Sequence, residues 1–186
     1  MNSPLQIRSA TWETFQTVMG EKGGCGGCWC MLWRLSRKQM DAGMGAQNRL
    51  AMKAVLESGR SPGLVAFDKD TPIGWIQFAP RSEFPRLATS RILKPIDEQD
   101  VWSVSCFFVH KSHRKQGVSL RLLEAASESA RKSGAQILEG YPIEPKKKPY
   151  PPVYGWVGFA DVFRRAGFRE IARRSETRPI MRIDLK

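Results

Sequence analysis

The fold is decided by one stretch of the sequence, HRKQGVSLRLLEAASESARKSGA (residues 113–135), which directly follows the apolar run VWSVSCFFVH (101–110). Nearly every residue of the run is apolar or small, as expected of a strand that is buried on both faces. The later stretch predicts an amphipathic helix between Gly117 and Gly134. Its expected core face consists of Val118, Leu122, Ala126 and Ala130. Because a helix start leaves several backbone N–H groups unpaired, the basic junction between strand and helix needs something to bind there.

A second apolar segment, AQILEGYP (135–142), follows the helix and predicts the next strand. Strand 101–110, helix 117–133 and strand 136–142 then form a crossover unit. Such units are almost always right-handed and place their two strands parallel in one sheet.

The rest of the chain predicts short elements of both kinds. They are a strand in LQIRSA (5–10), a helix in TWETFQTVM (11–19), a glycine-rich loop leading into an aromatic helix or turn (20–36), a helix in NRLAMKAVLESG (48–59), a hairpin around DKDTP (63–80), a mostly irregular segment (80–100), a proline-rich loop (141–156), a helix in VGFADVFRRAG (157–167), and strands in FREIARR (168–174) and RPIMRIDL (178–185). No repeat or long linker divides them. We therefore expect one α/β domain over residues 1–186, with a mixed, mostly antiparallel sheet flanked by helices.

Composition is that of an ordinary globular protein, with 41% hydrophobic and 26% charged residues in 186. A chain of this length can bury roughly 70% of its unfolded surface. No apolar run reaches the roughly 20 residues of a membrane helix, and the N-terminus lacks a secretory signature. Three of the four cysteines fall within six residues, unlike a distributed disulfide framework, so we expect a reducing, cytoplasmic location and no membrane partner.

The net charge of +12 predicts attraction to polyanions, which include nucleic acids, acidic membranes and phosphate-rich cofactors. The junction after the buried strand narrows this choice. Its helix start offers N–H groups and a positive dipole, Gly117 allows close backbone approach, and Lys111, Arg114 and Lys115 add charge. The junction therefore predicts a pyrophosphate cradle, although neither GxGxxG nor GxxxxGK[ST] occurs in the chain.

The segment FFVHKSHRKQGVSLRLL (107–123) resembles the acyl-coenzyme A motif of the GNAT superfamily of N-acetyltransferases, [RQ]-x-x-G-x-[GA] between a strand and a helix. Arg114 and Gly117 match the motif, and Ser119 occupies its last, small position. The order of elements from residue 5 to 184 also resembles the family. The resemblance implies an enzyme that transfers an acetyl group directly from acetyl-CoA to an amine.

The resemblance also implies residue roles. Backbone atoms of Phe108 and Val109 would hydrogen-bond the pantetheine arm, and the pyrophosphate would sit on the N–H groups of residues 114–119. The expected cofactor-binding residues are thus Phe108, Val109, Arg114, Lys115, Gln116, Gly117, Val118 and Ser119.

The chain departs from the family at the proton donor. Where such enzymes usually carry a Tyr to protonate the leaving thiolate, this sequence has Phe163. Either another group donates the proton, or the thiolate leaves unaided, or water helps. Tyr154 and Cys106 are the candidate substitutes, although each is open to a plain packing interpretation. The candidate general bases, each equally consistent with a solvated surface carboxylate, are Glu83, Asp97, Glu98 and Asp100.

Cys25, Cys28 and Cys30 have the spacing of part of a zinc site, but a closed site needs a fourth ligand. Only Cys106, His110 and His113 could supply it, and both histidines lie where coenzyme A is expected. We therefore predict no metal.

The cysteine-rich segment instead predicts one wall of an acceptor pocket, with core packing as the alternative. The proline-rich loop, with Lys146–Lys148, is expected to form the opposite wall. The expected pocket residues are Cys28, Trp29, Trp33 and Trp75, and Trp156 is a further candidate for the same cavity.

Four functions stay open at this point. The favoured one is an acyl-CoA-dependent N-acyltransferase that acts on a small-molecule amine or amino acid derivative and is able to form a homodimer. The others are a basic nucleic-acid-binding module, a zinc-dependent domain, and a GNAT domain that binds coenzyme A without catalysis. Scattered Lys and Arg, with no basic helical stripe, speak against a specific nucleic-acid partner.

Overall fold

The computed structural model of the protein describes residues 5–24, 26–59, 61–146 and 150–186. Cys25 and the lysines at 147 and 148 lie outside these ranges. The strands within them are β1 (Gln6–Ser9), β2 (Gly63–Asp68), β3 (Thr71–Pro80), β4 (Trp102–Val109), β5 (Ile137–Gly140), β6 (Arg169–Arg173) and β7 (Pro179–Asp184). The helices are α1 (Trp12–Met19), α2 (Arg37–Ala42), α3 (Ala46–Glu57), α4 (Pro85–Ala88), α5 (Val118–Lys132) and α6 (Ala160–Arg165). Short 3-10 turns cover Arg81–Glu83, Lys111–His113 and Pro152–Val157.

All seven strands belong to one sheet, in the order β1-β2-β3-β4-β5-β7-β6. Only β4 and β5 pair in parallel, and the other neighbours are antiparallel. Both the mixed, mostly antiparallel sheet and the parallel pair joined by α5 are confirmed. The sheet therefore has one parallel joint, at its centre, where the chain crosses over through α5.

The structure differs from the sequence expectations in three places. β5 ends at Gly140 and not at residue 142, since Pro142 has no N–H to donate and Ile143 bridges Phe159 instead. The β2–β3 turn is tighter than DKDTP, with Lys69 at a φ of 54°. Helix α2 was not expected, although Ser36 and Gln39 form a capping box whose S-x-x-Q pattern is a sequence signal.

A core of apolar side chains fills the space between one face of the sheet and helices α5 and α6. The α5 residues predicted for this face are all buried there, together with Leu123. They pack on Ile76 of β3 and Val104 of β4, among others. Burial of this stripe, at roughly 25 cal/mol per Å² of apolar surface, is what stabilises α5 on the sheet.

The opposite face of the central strands is covered by α1, α3 and the segment between α1 and α2. This second core is rich in aromatic and sulfur-containing side chains. Its buried members are Phe15, Val18, Met19, Trp29, Cys30, Met31, Met40, Met52, Val65, Phe67, Trp75 and Cys106. A third, smaller cluster lies beside it and contains Ala79, Phe84, Leu87, Leu93, Tyr141 and Ile180, with Trp33 packed against it.

The glycine-rich segment of this layer has an unusual backbone. Positive φ angles occur at Gly23, Gly24, Gly26, Gly27, Trp29 and Cys30. At Gly27 a side chain is excluded as well, because a Cβ atom would lie 2.7 Å from the backbone nitrogen of Gly45. That nitrogen donates a hydrogen bond to the Gly27 carbonyl oxygen at 3.0 Å, which ties the segment to the start of α3.

Candidate active site

The two parallel strands at the centre of the sheet, β4 and β5, are paired over only part of the length of β4. Its last pair with β5 is Val104 with Gly140, after which the two strands separate. In the part of the chain that the structure describes, no strand pairs with residues 105–109 of β4 on this side. The 3-10 turn Pro152–Val157 packs near this edge. Backbone groups of β4 are therefore available to a ligand along this stretch.

A β-bulge lies at the point where the strands separate. Gln77 of β3 pairs with Cys106, whereas Phe78 pairs with Val104, so Ser105 is the extra residue. A bulge bends its strand and breaks the in-and-out alternation of side chains. As a result Ser105 contacts Gln77, while Cys106 belongs to the core on the α1 side of the sheet.

The basic junction predicted from the sequence lies at the other end of the same strand edge. Gly117 is the N-cap of α5 and has a φ of 80°, and a Cβ added there would meet no atom within 4 Å. The first helical hydrogen bond runs from the Arg121 N–H to the Gly117 oxygen, at 3.1 Å. The N–H groups of the first turn therefore point out of the helix end without intrahelical partners.

The residues before Gly117 form a turn held by local hydrogen bonds. Arg114 Nε donates to the Val109 oxygen at 3.1 Å, and Gln116 Nε2 donates to the Ser112 oxygen at 2.9 Å. Lys115 has a φ of 61°, and residues 114–117 are all exposed. The turn thus presents positive charge and backbone N–H groups to solvent next to the open edge of β4. We call residues 114–119 the cradle.

A buried polar group occupies the α1 side of the bulge. The Gln77 amide, oriented to satisfy both of its sides, donates to the Cys30 carbonyl oxygen (3.0 Å) and to Ser105 Oγ (2.7 Å). Its oxygen accepts a hydrogen bond from Arg34 Nε at 3.2 Å. Arg34 in turn pairs with Glu83, at 2.6 Å between Nη1 and Oε2. We call Cys30, Arg34, Gln77, Glu83 and Ser105 the polar wall.

Two thiols meet beside the polar wall. Cys30 Sγ lies 3.2 Å from Cys106 Sγ, and both residues are buried and present as free cysteines. The hydrogen bond to Cys106, together with burial, raises the pKa of Cys30 well above its ordinary value. Cys30 is therefore a neutral thiol at physiological pH and is not a nucleophile in this state.

A second buried network lies toward the N-terminal end of β4. Glu139 accepts hydrogen bonds from Arg81 and from Arg182 (2.7 Å to its Nε), and its side chain is 1% exposed. The Tyr141 hydroxyl donates to the same carboxylate at 2.5 Å and also contacts Ser103 Oγ at 2.8 Å. Burial, with the nearby Glu139 charge, raises the pKa of Tyr141 well above its usual range. This network links β4, β5 and β7 just before the opening.

The predicted proton-transfer residues are placed in different environments. Cys106 is at the bulge, whereas Tyr154 is 57% exposed with its ring 6.3 Å from that of Tyr150. Phe163 is fully buried, in edge contact with Phe107 at 5.9 Å and Phe168 at 4.9 Å.

The candidate carboxylates divide in the same way. Glu98 and Asp100 are exposed, while Glu83 and Asp97 pair with Arg34 and Arg182.

The tryptophans expected in the pocket also divide. Trp29 and Trp75 are buried in the second core, where Phe15 contacts the Trp75 ring at 4.8 Å. Trp33 is half-buried and faces Trp156 at 6.2 Å, and Cys28 is half-buried near the Gly23 oxygen. Trp33 packs against the third cluster, whereas Trp156, at the end of the proline-rich loop, packs against the second core.

The sequence matches the acetyltransferase (GNAT) family over residues 29–142. The matched region contains β4, the bulge, the cradle and α5. The chain belongs to the GNAT acetyltransferase family. The predictions of the family and of an N-acetyltransferase are thereby confirmed.

Solved structures of similar fold cover nearly the whole chain. An N-acetyltransferase from Staphylococcus aureus Mu50 is 14% identical, with a TM-score of 0.61 and coverage of 99% of this chain and 100% of that one. The PaiA N-acetyltransferase of Thermoplasma acidophilum, solved in complex with coenzyme A, is 13% identical, with a TM-score of 0.55 over 98% and 99%. YncA of Salmonella typhimurium, solved with its cofactor acetyl-CoA, is 16% identical, with a TM-score of 0.56 over 98% and 94%. No curated protein sequence matches the chain.

Sequence reasoning named Glu83 and Cys30 but missed the hydrogen bonds that join them to the other residues of the polar wall, and it missed the Glu139 network of this GNAT domain. Arg34, Gln77 and Ser105 stand singly in segments that otherwise look apolar or irregular. A lone polar residue on the inward face of a strand is the signal that could have found Gln77 and Ser105. Within the described residues, no helix is long and apolar enough to cross a membrane, and no three His, Cys, Asp or Glu side chains group as metal ligands would.

Proposed function

We propose that this GNAT protein transfers an acetyl group from acetyl-CoA directly to the amine of a small molecule. One observation carries the proposal: the cradle and the unpaired edge of β4 are continuous, and together they match the shape of a ligand with a pyrophosphate at one end and an extended arm. The coenzyme A and acetyl-CoA bound to two solved structures of this fold support the same ligand.

In this proposal the cofactor follows β4 backwards. The pyrophosphate receives N–H groups of residues 114–119 and the charges of Arg114 and Lys115. The pantetheine arm then pairs with backbone groups of Phe108 and Val109, as an added strand does. Since strand residues advance about 3.3 Å each, the thioester reaches the bulge at Ser105 and Cys106.

The reaction places few demands on the protein. The amine attacks the thioester carbonyl carbon, the C–S bond breaks, and the amine loses a proton while the thiolate gains one. The free backbone N–H groups of the opened strand are positioned to bind the oxygen on which charge develops. Of the two candidate proton donors, Cys106 is at the expected thioester end, whereas Tyr154 is an exposed residue of the 3-10 turn that packs on β4. Cys106→Ser and Tyr154→Phe variants separate the two through their rates of thiol release.

Two further proposals concern the whole chain. The solved structures cover 98–99% of it, which supports one acetyltransferase domain over residues 1–186. Cys30 and Cys106 lie 3.2 Å apart between their sulfur atoms and are both thiols, which supports a reducing, cytoplasmic location.

The decisive experiment is thermal unfolding with and without acetyl-CoA, on wild type, Arg114→Glu and the control Arg165→Glu, which makes the same charge change on α6. Ligand at about 100 times its Kd adds roughly 2.7 kcal/mol to the free energy of unfolding. In a domain of this size each kcal/mol raises Tm by about 2–4 °C. We expect the shift in wild type and control and its loss in Arg114→Glu. The absence of a shift in wild type at millimolar ligand refutes the proposal and makes salt-dependent nucleic-acid binding the next test.

A further inference from the structure

Two arginines that border the third cluster have buried N–H groups without acceptors among the described residues. Among the residues that the structure describes, Arg34 Nη2 and Arg178 Nε have no hydrogen-bond partner although both atoms are buried. The Arg34 side chain is only 7% exposed. Buried polar atoms are nearly always satisfied, so each of these two groups requires an acceptor that the chain itself does not supply.

Arg34 is held rigidly with one edge free. Glu83 binds Nη1, the Gln77 oxygen accepts from Nε, and the guanidinium lies over the Phe84 ring at 4.8 Å. These contacts fix the plane of the group and leave Nη2 as the unoccupied donor. Through Gln77 this arginine is one side chain away from Ser105, at the bulge where the thioester is expected. A fixed guanidinium with a free donor is a typical receptor for a carboxylate oxygen.

Arg178 lies just before β7. Its Nη2 donates to the Tyr141 carbonyl oxygen at 3.1 Å, directly after the end of β5. Within the described residues it pairs with no carboxylate, and burial lowers the pKa of its guanidinium because the charged form is poorly hydrated there. An anion placed beside it would restore the lost stabilisation.

Both arginines border the third cluster. Phe84, over which Arg34 lies, and Tyr141, to which Arg178 is bonded, are members of it. Trp33 packs against the same cluster, and its Nε1 also lacks a partner among the described residues. The charge of Arg34 is balanced by Glu83, whereas that of Arg178 is not balanced. Arg86, whose guanidinium lies over the Trp33 ring, adds a further positive charge. Among the described residues, the border of the third cluster is thus net positive and carries three unused donors, which suits a carboxylate.

We propose that the acceptor is an amino acid-type molecule whose carboxylate binds Arg34, with Arg178 as the second positive contact. This inference rests on the proposed acetyltransferase function. The aromatic side chains of the third cluster favour an apolar remainder of the acceptor. In this arrangement the polar wall anchors one end of the acceptor, and the amine is directed toward the bulge.

The test is a panel of α-amino acids, each paired with its carboxamide, with acetyl-CoA as donor. Thiol release and the mass of the product are followed. The amine of a carboxamide has the lower pKa and is more often unprotonated, so intrinsic reactivity favours the carboxamide. We expect the acid to be preferred nonetheless, by about 10-fold or more in kcat/KM. Equal or better turnover of the carboxamides overturns the inference and leaves the acetyltransferase proposal standing.

Variants then test the residues. Arg34→Gln and Arg178→Gln are each expected to raise KM for the acid about 10- to 100-fold and to remove the preference for the acid over the carboxamide, with the acetyl-CoA thermal shift retained. Arg174→Gln is the matched control, since this arginine lies in the same loop but bonds the Lys94 and Pro95 carbonyl oxygens. If Arg34→Gln does not fold, the double variant Arg34→Gln/Glu83→Gln removes the pair without leaving a buried charge.

The remaining outcomes separate the two proposals. Wild type that shows the acetyl-CoA thermal shift but accepts no acid overturns the carboxylate inference alone. Wild type with neither a thermal shift nor thiol release from any member of the panel overturns the proposed function itself. Loss of acid preference in Arg174→Gln, at the same level as in Arg34→Gln, also contradicts the assignment of these residues.

Discussion

The cradle and the polar wall both adjoin β4 but are built in opposite ways. The cradle keeps its charges in solvent, and its hydrogen bonds join residues four or five positions apart, such as Arg114 and Val109. The polar wall buries the charge of Arg34 and joins residues far apart in sequence, 49 positions for Arg34 and Glu83 and 28 for Gln77 and Ser105. Cys30 and Cys106 beside it are 76 apart.

Because of this difference, substitutions in the two regions should affect different properties, ligand binding in the cradle and folding stability in the polar wall. An exposed local turn contributes little to the free energy of unfolding, so a substitution in the cradle acts on the ligand. A buried, non-local network is part of the folded state, so a substitution there acts on the whole domain. The following changes test how far that division holds, from the largest expected effect to the smallest.

Removal of a buried carboxylate should give the largest loss of stability. Glu139→Ala leaves Arg81 and Arg182 without their shared partner, and breaking a buried pair in this way costs about 3–5 kcal/mol. Urea unfolding followed by circular dichroism measures it. Glu128→Ala is the control, because its partner Arg131 is exposed on α5 and no measurable change is expected. Equal effects of the two variants would show that the Glu139 network contributes nothing beyond a surface pair.

A side chain added in the glycine-rich segment should give the second-largest loss of stability. Gly27→Ala combines a φ of 75° with a Cβ 2.7 Å from the Gly45 nitrogen. Gly134→Ala has a φ of 88° but meets no atom within 4 Å, so it isolates the cost of backbone strain, about 1–2 kcal/mol. We expect Gly27→Ala to be about 1–3 kcal/mol worse than this control in equilibrium unfolding. A difference near zero would mean that the segment shifts away freely.

A tyrosine at position 163, where the family resemblance leads one to expect it, should lower the stability of the protein without increasing its activity. In Phe163→Tyr the new hydroxyl enters an apolar site beside Gly140, where a Cβ would already be 2.8 Å from Phe163 Cζ. An unsatisfied buried hydroxyl costs about 1–3 kcal/mol, measured as a lower Tm. Tyr154→Phe, at an exposed ring, should leave Tm unchanged. A stable and faster Phe163→Tyr enzyme would instead show that this ring edge faces the cofactor thiol.

The smallest effect on stability should come from the titration of Asp97, the carboxylate that pairs with Arg182 on the outer side of the Glu139 network. Hydrogen bonds from Arg182 hold the pKa of Asp97 below its ordinary 3.8. A lowered folded-state pKa stabilises the protein at pH above 3.8, and this contribution is lost as the pH falls through the folded value. Asp97→Asn should therefore be less stable than wild type at pH 7, with the two curves converging below pH 3.8. Curves that stay parallel would show that Asp97 does not titrate with folding.

The sequence predicted the two regions unequally, for the same physical reason. The cradle, α5 and the parallel joint follow from neighbouring residues, since a strand, a glycine and an amphipathic helix are all local patterns. The pairing of Arg34 with Glu83, or of Gln77 with Ser105, depends on which segments the folded sheet brings together. The bulge at Ser105 changes which side chains share a face, and no period in VWSVSCFFVH indicates it. The early end of β5 was likewise missed, although Pro142 in the sequence was a clue.

The left-handed run between α1 and α2 bears on how this enzyme could be altered. Because six residues of 23–30 adopt positive φ, the shape of this segment is set by the path of the main chain more than by the identity of its side chains. Exchanging single residues there would disturb that path first. If the segment forms one wall of the acceptor pocket, as the sequence predicts, altering acceptor choice would call for transplanting all of it, glycines included, together with the start of α3 that anchors it.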